Sequence, residues 1–346
     1  SREEFISLTK AWSNSHKATI YGQLKKLGAS CDWNRALYTM DKKYSKSINK
    51  VFCDLYRKGL IYKATKVVNW DPVANTVVSD EEVTYEDKID ENGNFVKIGY
   101  SERTGARIEQ RESSQWFLKM GALAEKALEV ISSNKIKSNI ALINSSCYRW
   151  LRGAKDWCIS RQLWWGHRIP VYYVNKCGWE WKTAAENKKI ALLEFRKVFG
   201  FIVTEDDIEQ DTDCLDTWFS SWLWPIVAFD GINNPDNDEL KYYLPSKTLV
   251  TGSDILFFWV ARMIMACCEY NTPVPFEFVY VTGLLRDSYN RKLSKSLDNS
   301  PDLSKLIDKY GADAIRFSLI YGNTDPYDRK LPDDFPKEGI RFCNKL

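Results

Sequence analysis

Residues 247–268 of this chain read KTLVTGSDILFFWVARMIMACC. The order of residues predicts a short strand (Lys247–Val250), a turn at Gly252, and a buried helix over the apolar run Ile255–Cys268. In doubly wound sheets, an acidic residue that follows a glycine turn at the carboxyl end of a strand can accept hydrogen bonds from ribose hydroxyls. Gly252 and Asp254 are therefore candidate nucleotide-binding residues. The alternative is that Gly252 only makes the turn and Asp254 only caps the helix.

A basic loop follows the next predicted strand, Phe278–Leu285. The loop Arg291–Ser296 reads RKLSKS. It places two lysines and two serines within six residues: Lys292, Ser294, Lys295 and Ser296. Such lysines can neutralise charge on an α-phosphate and on a leaving pyrophosphate, and the serines add hydrogen-bond donors. A solvated charge run is the alternative for this loop taken alone.

The rest of the chain is predicted to alternate helices with strands, which indicates an α/β fold with a parallel sheet. Asn92-Gly93-Asn94 marks a hairpin-like turn within the polar segment 84–112. The other predicted elements are helical residues 1–58 with Gly59 at the helix end, a strand at Leu60–Trp70, and helices at Trp116–Ile131, Leu303–Tyr310 and Ala312–Ile320.

Composition limits the classes of function. The net charge is only +3 over 346 residues, so a nucleic-acid surface would have to be local. Nine cysteines without a C-x-x-C pair predict reduced thiols in the cytosol or an organelle matrix, and no metal site. The most apolar run, Ile255–Cys268, is shorter than the ~20 residues that cross a bilayer, so no membrane span is predicted.

Two segments place tryptophans beside polar residues. They are Asp156–Pro170 (DWCISRQLWWGHRIP) and Leu215–Ser221 (LDTWFSS). Paired indoles would form rigid walls around a small aliphatic side chain and select it by volume. An ordinary core position is the alternative for any single tryptophan.

Taken together, the chain resembles the class I aminoacyl-tRNA synthetases, most closely those specific for valine. The combination of WCISRQLWWGHRIP with DILFFWVARM is typical of the valine-specific enzymes. The resemblance is carried by Gln23–Asp41, Asn69–Val83, Tyr100–Met120, Asp156–Pro170, Leu215–Pro225, Val250–Met265 and Gly283–Phe317.

The resemblance implies a Rossmann-like doubly wound parallel sheet flanked by helical segments. It further implies that ATP, accompanied by Mg²⁺, activates valine to valyl-adenylate, and that the valyl group passes to tRNA(Val). Lys292 and Lys295 match catalytic positions of the family, and Trp165 and Trp218 match positions that line its amino-acid pocket. The positions that match its ATP-binding residues are Gly252, Asp254, Lys292, Ser294, Lys295 and Ser296.

The resemblance also divides the chain. The expected parts are residues 1–83 (helical and strand part of the catalytic domain), 84–112 (a short connector where the family normally inserts an editing domain), 113–290 (the second half of the Rossmann domain) and 291–346 (the phosphate loop and the helices that lead to an anticodon domain). No anticodon contacts are expected, and the cytoplasm or an organelle matrix is the expected location.

The chain departs from the family at three places. The H-x-G-H signature is absent, since the only histidines are His16 and His167. Residues Glu86–Phe95 close the gap where the editing domain is expected, and Asp298 follows the phosphate loop where glycine is usual. A fragment that is weak or inactive alone is therefore expected. A synthetase paralogue, or a non-catalytic module that binds tRNA or protein, remains the alternative.

Overall fold

The computed structural model describes residues 1–346 except 90–92, 141–146, 177, 271–273, 295–296, 322–324 and 333. The α-helices are α1 (Arg2–Lys26), α2 (Lys42–Arg57), α3 (Gly121–Ser132), α4 (Tyr148–Arg152), α5 (Lys188–Phe199), α6 (Thr217–Ser221), α7 (Trp224–Val227), α8 (Asp238–Tyr243), α9 (Arg262–Glu269), α10 (Leu303–Tyr310), α11 (Ala312–Ile320) and α12 (Pro336–Cys343).

The strands lie between these helices along the chain. They are β1 (Ile61–Asp71), β2 (Thr76–Val78), β3 (Val83–Ile89), β4 (Phe95–Ser101), β5 (Glu109–Leu118), β6 (Lys137–Ser138), β7 (Trp157–Cys158), β8 (Ser160–Arg161), β9 (Val171–Lys176), β10 (Trp179–Ala184), β11 (Ile208–Gln210), β12 (Cys214–Leu215), β13 (Ser246–Gly252), β14 (Phe276–Thr282), β15 (Leu285–Arg286) and β16 (Arg329–Lys330).

A parallel sheet of strand order β13-β14-β6 confirms the predicted α/β class. In its register Ser246 pairs with Phe276 and Gly252 with Thr282, so the carboxyl ends of β13 and β14 lie at one edge. The loops that carry Asp254 and Lys292 both leave from that edge. Parallel topology therefore brings together two motifs that lie far apart in the chain.

The helical run after β13 forms the middle of the core. It starts with the 3₁₀ turn Ser253–Ile255, passes through the π-helical segment Leu256–Ala261, and continues as α9. Its buried side chains pack with those of α2 and α3 in the largest hydrophobic cluster of the described residues. The apolar run that was predicted as one buried helix is thus a buried helix whose first turns are irregular.

Antiparallel sheets surround this core. The largest has the order β2-β1-β5-β7, in which β1 pairs with β5 over ten residue pairs from Ile61–Leu118 to Trp70–Glu109. Another has the order β10-β9-β11. No helix in the described part of the chain combines the length and the apolar character that a membrane crossing requires.

Two predicted helical boundaries were wrong. Residues 116–118 lie in β5 rather than in a helix, and the helix begins at Gly121. The apolar spacing of these residues suits either element, and pairing with the distant strand β1 decides for the strand. Within residues 1–58, which were predicted to be helical, the segment 27–41 is not α-helical and separates α1 from α2.

Other predicted elements are confirmed. Arg57 ends α2, and Gly59 follows with the positive φ of +70° that favours glycine at a helix end. Helix α10 ends at Tyr310 before Gly311, and α11 spans Ala312–Ile320 as predicted. The polar segment contains the hairpin β3–β4, although Asn92 of its predicted turn lies outside the described residues.

Candidate active site

The turn after β13 holds Asp254 against the sheet edge. A Cβ added to Gly252 would lie 2.6 Å from Asp254 Oδ1 and 3.2 Å from the side chain of Leu284. Both distances are too short for a side chain at position 252 unless its neighbours move. The glycine is therefore needed for close packing, since its φ of −75° is open to any residue.

Lys292 lies across the sheet edge from this turn. Its Nζ donates to Asp254 Oδ2 at 2.5 Å and lies 3.9 Å from Glu102 Oε1. The Lys292 side chain is 43% exposed, so the pair faces solvent rather than the core. The structure thus brings together two residues that were predicted from separate motifs to bind one nucleotide.

Asn299, which the sequence analysis did not single out, closes the basic loop. Its Oδ1 accepts from Ser294 N at 2.8 Å, and its Nδ2 donates to Asp287 Oδ2 at 3.0 Å and to the Lys292 carbonyl at 3.2 Å. An asparagine shortly after a basic loop is a weak sequence signal, because such residues are common in turns. Lys295 and Ser296, predicted as phosphate ligands, lie outside the described residues.

Asp287 and Asp298 lie on either side of this loop. Burial raises the pKa of the Asp287 carboxyl, but hydrogen bonds from Asn299 and Arg291 outweigh it and hold the pKa at about 2. Asp298 has a φ of +49°, in the left-handed region that glycine would adopt without strain. The backbone at position 298 therefore keeps the conformation for which the family usually carries glycine.

The two tryptophan segments lie side by side. Strand β8 pairs with β12, and Leu215 N donates to the His167 carbonyl at 2.7 Å. Among the residues that the structure describes, no ring contact joins Trp165 to Trp218. Trp218 instead stacks on Phe258, with 5.1 Å between the ring centroids. The structure thus brings the segments together but does not pair the two rings.

A buried ion network supports the start of α6, the helix that carries Trp218. Arg161 Nη2 lies 3.3 Å from Asp216 Oδ2 and 3.5 Å from Glu82 Oε2, and all three side chains are less than 10% exposed. Asp216 also accepts from Trp157 Nε1 at 2.9 Å. No local sequence pattern predicts this network, because its members come from three separate segments.

His167 is poorly suited to acid–base chemistry at neutral pH. Burial lowers the pKa of its imidazole to about 4, and a backbone hydrogen bond with Thr39 offsets only part of that effect. The ring is therefore neutral near pH 7. No group of three metal-ligating side chains was found among the described residues.

Comparisons with known proteins identify relatives of this chain. Residues 1–330 match the family described as "tRNA synthetases class I (I, L, M and V)". The whole chain is similar to the valine–tRNA ligase of Bacteroides fragilis, with 37% identity and 55% of that protein covered. It is also similar to that of Chlorobaculum tepidum, with 33% identity and 52% covered. The chain thus spans about half the length of these relatives.

Solved structures show the same fold at low sequence identity. The leucyl enzyme of Agrobacterium radiobacter K84, solved in a ternary complex with tRNA and LeuAMS, has a TM-score of 0.71 at 18% identity, with 94% of this chain and 62% of that chain covered. Mycobacterium tuberculosis methionyl-tRNA synthetase, bound by methionyl-adenylate, has a TM-score of 0.68 at 17% identity, with 98% and 56% covered.

Proposed function

The chain belongs to the class I tRNA synthetases, and on that premise we propose that it carries part of a catalytic domain that activates valine with ATP and transfers it to tRNA(Val). Support for valine comes from relatives that are valine–tRNA ligases at 33–37% identity. The closeness of Asp254 and Lys292 carries the proposal, because it places an acceptor for ribose hydroxyls beside a cation for phosphate.

In the proposed reaction the valine carboxylate attacks the α-phosphate of ATP, and pyrophosphate leaves. Lys292 and Lys295 would neutralise the charge that moves onto the pyrophosphate, with donors from Ser294 and Ser296. Asp254 would accept a hydrogen bond from the ribose of ATP. Binding of ATP would therefore break the ion pair between Lys292 and Asp254, and each residue would contact ATP instead. Mg²⁺ would enter as part of the substrate, bound to the ATP phosphates.

Valine would be selected by the volume of its pocket. Trp165 and Trp218 are the proposed walls, and the stacking of Trp218 on Phe258 supports a rigid wall. An aliphatic pocket of this kind rejects threonine, which has nearly the same shape, only by about 100-fold. The hairpin β3–β4 lies at the start of the segment 84–112, where the editing domain is expected, and β5 follows at Glu109, so we propose that this chain does not edit.

We also propose a domain organisation and a location for this chain. We propose that residues 1–83 and 113–290 form the two halves of the catalytic domain, and that 291–346 hold the phosphate loop and the helices after it. The alignment to the Bacteroides relative spans 483 positions, more than this chain's 346 residues, which supports a shortened insertion.

The free thiols of the eight described cysteines support a reducing compartment, such as the cytoplasm or an organelle matrix.

Valine-dependent exchange of pyrophosphate into ATP tests the proposal. The chain is assayed alone and with an added segment bearing H-x-G-H, and Lys295→Ala serves as the inactive control. We expect exchange only with the added segment, and none for Lys295→Ala. Exchange that is equally fast with isoleucine would contradict the assignment of valine.

A non-catalytic module that binds tRNA is the second candidate. Such a module would bind tRNA without supporting exchange under either condition. Filter binding of tRNA(Val) beside the exchange assay separates the two. A synthetase paralogue would show exchange with another amino acid.

A further inference from the structure

The structure contains a cavity of about 790 Å³. Its walls come from β1 and β2, from the end of α4 and from β7, and Arg262 of α9 contributes a cationic side chain. None of Gly252, Asp254, Lys292, Trp165 and Trp218 lines it. Its volume is in the range of pockets that bind small molecules.

Arg262 is the unusual member of this wall. Its side chain is only 2% exposed, yet its Nε and Nη1 have no hydrogen-bond partner in the described structure. Its nearest carboxylate is Glu81, whose Oε2 lies 3.8 Å from Nη2. The guanidinium lies 4.0 Å from the ring centroid of Trp157, so an indole rather than an anion covers it.

The acidic side chains of the cavity already have partners. Asp156 accepts from Tyr62, Asp80 accepts from Asn69 at 2.6 Å, and Glu81 accepts from Trp150 Nε1 at 3.2 Å. A buried charge without hydrogen bonds costs several kcal/mol, and native proteins rarely keep one without a reason. The arginine is therefore the group in this cavity that an additional anion would satisfy.

The charges around Arg262 agree with this geometry. Burial lowers the pKa of its guanidinium, and the opposing effects of Asp216 and Glu81 do not restore it. Asp216 also forms an ion pair with Arg161, with 3.3 Å between Asp216 Oδ2 and Arg161 Nη2. The surrounding protein thus compensates the charge of Arg262 incompletely.

We propose that this cavity binds a small organic ligand that carries one anionic group, a carboxylate or a phosphate monoester, with the anion on Arg262. The ligand's apolar body would contact Phe117, Trp150 and Trp157, which also line the cavity. Glu81 is 23% exposed and nearest to Nη2, so the anion displaces its carboxylate. This site does not depend on the proposed function.

Isothermal titration at constant ionic strength tests the site. The probes are phenyl phosphate and benzoate, which share a ring and differ in the anion, and benzyl alcohol, which has no charge. We expect one or both anions to bind and benzyl alcohol not to bind. The tighter of the two anions shows which anionic group the site prefers.

Three variants and two controls locate the binding. Arg262→Met weakens binding of the anion at least about tenfold, because a hydrogen bond to a charged group contributes about 1.5–3 kcal/mol. Glu81→Gln strengthens binding of the anion, since the competing carboxylate is gone. Arg57→Met, at an exposed arginine at the end of α2, and Lys292→Ala, which removes the predicted phosphate-binding cation, leave the binding unchanged. If Arg262→Met does not fold, Arg262→Lys keeps the charge and is expected to weaken binding through altered geometry.

Several results would overturn the proposal. They are binding of neither anion, equal binding of benzyl alcohol, unchanged affinity in both Arg262 variants, or loss of binding in Lys292→Ala. Thermal unfolding gives an independent check without ligand. Arg262→Met should be at least as stable as the unaltered chain, because it removes an incompletely paired buried charge. A large loss of stability would instead assign Arg262 a structural role.

Discussion

At the residue scale, single side chains decide whether the predicted nucleotide site can form. Asp254 and Lys292 meet, and Asn299 holds the loop backbone on which Lys292 sits. The sequence alone predicted Asp254 and Lys292, because a carboxylate can accept from ribose hydroxyls and a lysine can neutralise the charge of a phosphate. Asn299 was missed because its contribution consists of hydrogen bonds to a folded loop, which exist only once the loop has closed.

We predict that Lys292→Ala weakens binding of ATP, measured by isothermal titration, by about tenfold or more. The loss reflects a charge-assisted contact to phosphate of about 1.5–3 kcal/mol. Lys305→Ala, at an exposed lysine in the first turn of α10, is the matched control and should bind ATP as before. Equal affinities of the two variants would remove Lys292 from the nucleotide site.

His167 predicts a pH dependence of stability. Its pKa is about 4 in the folded chain and about 6.5 when unfolded, so between these values the unfolded state binds more protons. The free energy of unfolding should therefore fall as pH drops from about 6.5 to about 4, by on the order of 2–3 kcal/mol from this group.

Urea unfolding as a function of pH measures this effect. His167→Gln should remove most of the loss between pH 6.5 and 4, because glutamine does not titrate. His16→Gln, at an exposed position of α1, is the matched histidine control. If the free energy of unfolding falls equally between pH 6.5 and 4 in the unaltered chain and in His167→Gln, other groups control the pH dependence.

At the scale of elements, packing required conformations that periodicity did not predict. The helix after β13 begins with 3₁₀ and π-helical turns before it becomes α9. Residues 116–118 pair with β1 although their spacing also suits a helix. In both cases the local sequence is compatible with either conformation, and contacts with distant parts of the chain decide between the two.

The contact between α11 and α12 depends on one glycine. A Cβ at Gly339 would lie 2.0 Å from the backbone oxygen of Ala314, so the two helices cannot keep their spacing if position 339 carries a side chain. We predict that Gly339→Ala destabilises the chain by at least about 1–3 kcal/mol, the range for overpacking. Denaturant unfolding measures the change.

Gly22→Ala on α1 is the matched control. A Cβ at Gly22 would meet nothing within 4 Å, so only helix propensity changes. This variant should be neutral or more stable by up to about 1 kcal/mol. A destabilisation of similar size in both variants would show that the close helix contact is not the cause.

At the scale of the whole molecule, a buried network joins distant segments. Arg161 links Glu82, just before the hairpin, to Asp216, which precedes the helix of Trp218. Burial raises the pKa of the Glu82 carboxyl, but Arg161 and Arg103 together hold it below its usual value. The network therefore connects the base of the hairpin to one proposed wall of the amino-acid pocket.

We predict that Arg161→Met lowers the free energy of unfolding by about 3–5 kcal/mol, because it leaves two buried carboxylates without their common partner. Arg103→Met is the control, since Arg103 is 45% exposed and contacts only Glu82 among these acids. It should cost about 1 kcal/mol. Equal losses in the two variants would show that burial of the pair is not the decisive factor.

The amino-acid sequence alone determined the α/β class and the family, and it predicted the residue types of the proposed nucleotide site. Those conclusions rest on short motifs and on the spacing of apolar residues, which are local properties of the chain. The tertiary structure alone decided that Asp254 meets Lys292, that Arg161 is buried, and that Trp218 stacks on Phe258 rather than on Trp165. These contacts join residues far apart in the chain, so their free energy depends on strand pairing and burial that no local pattern contains.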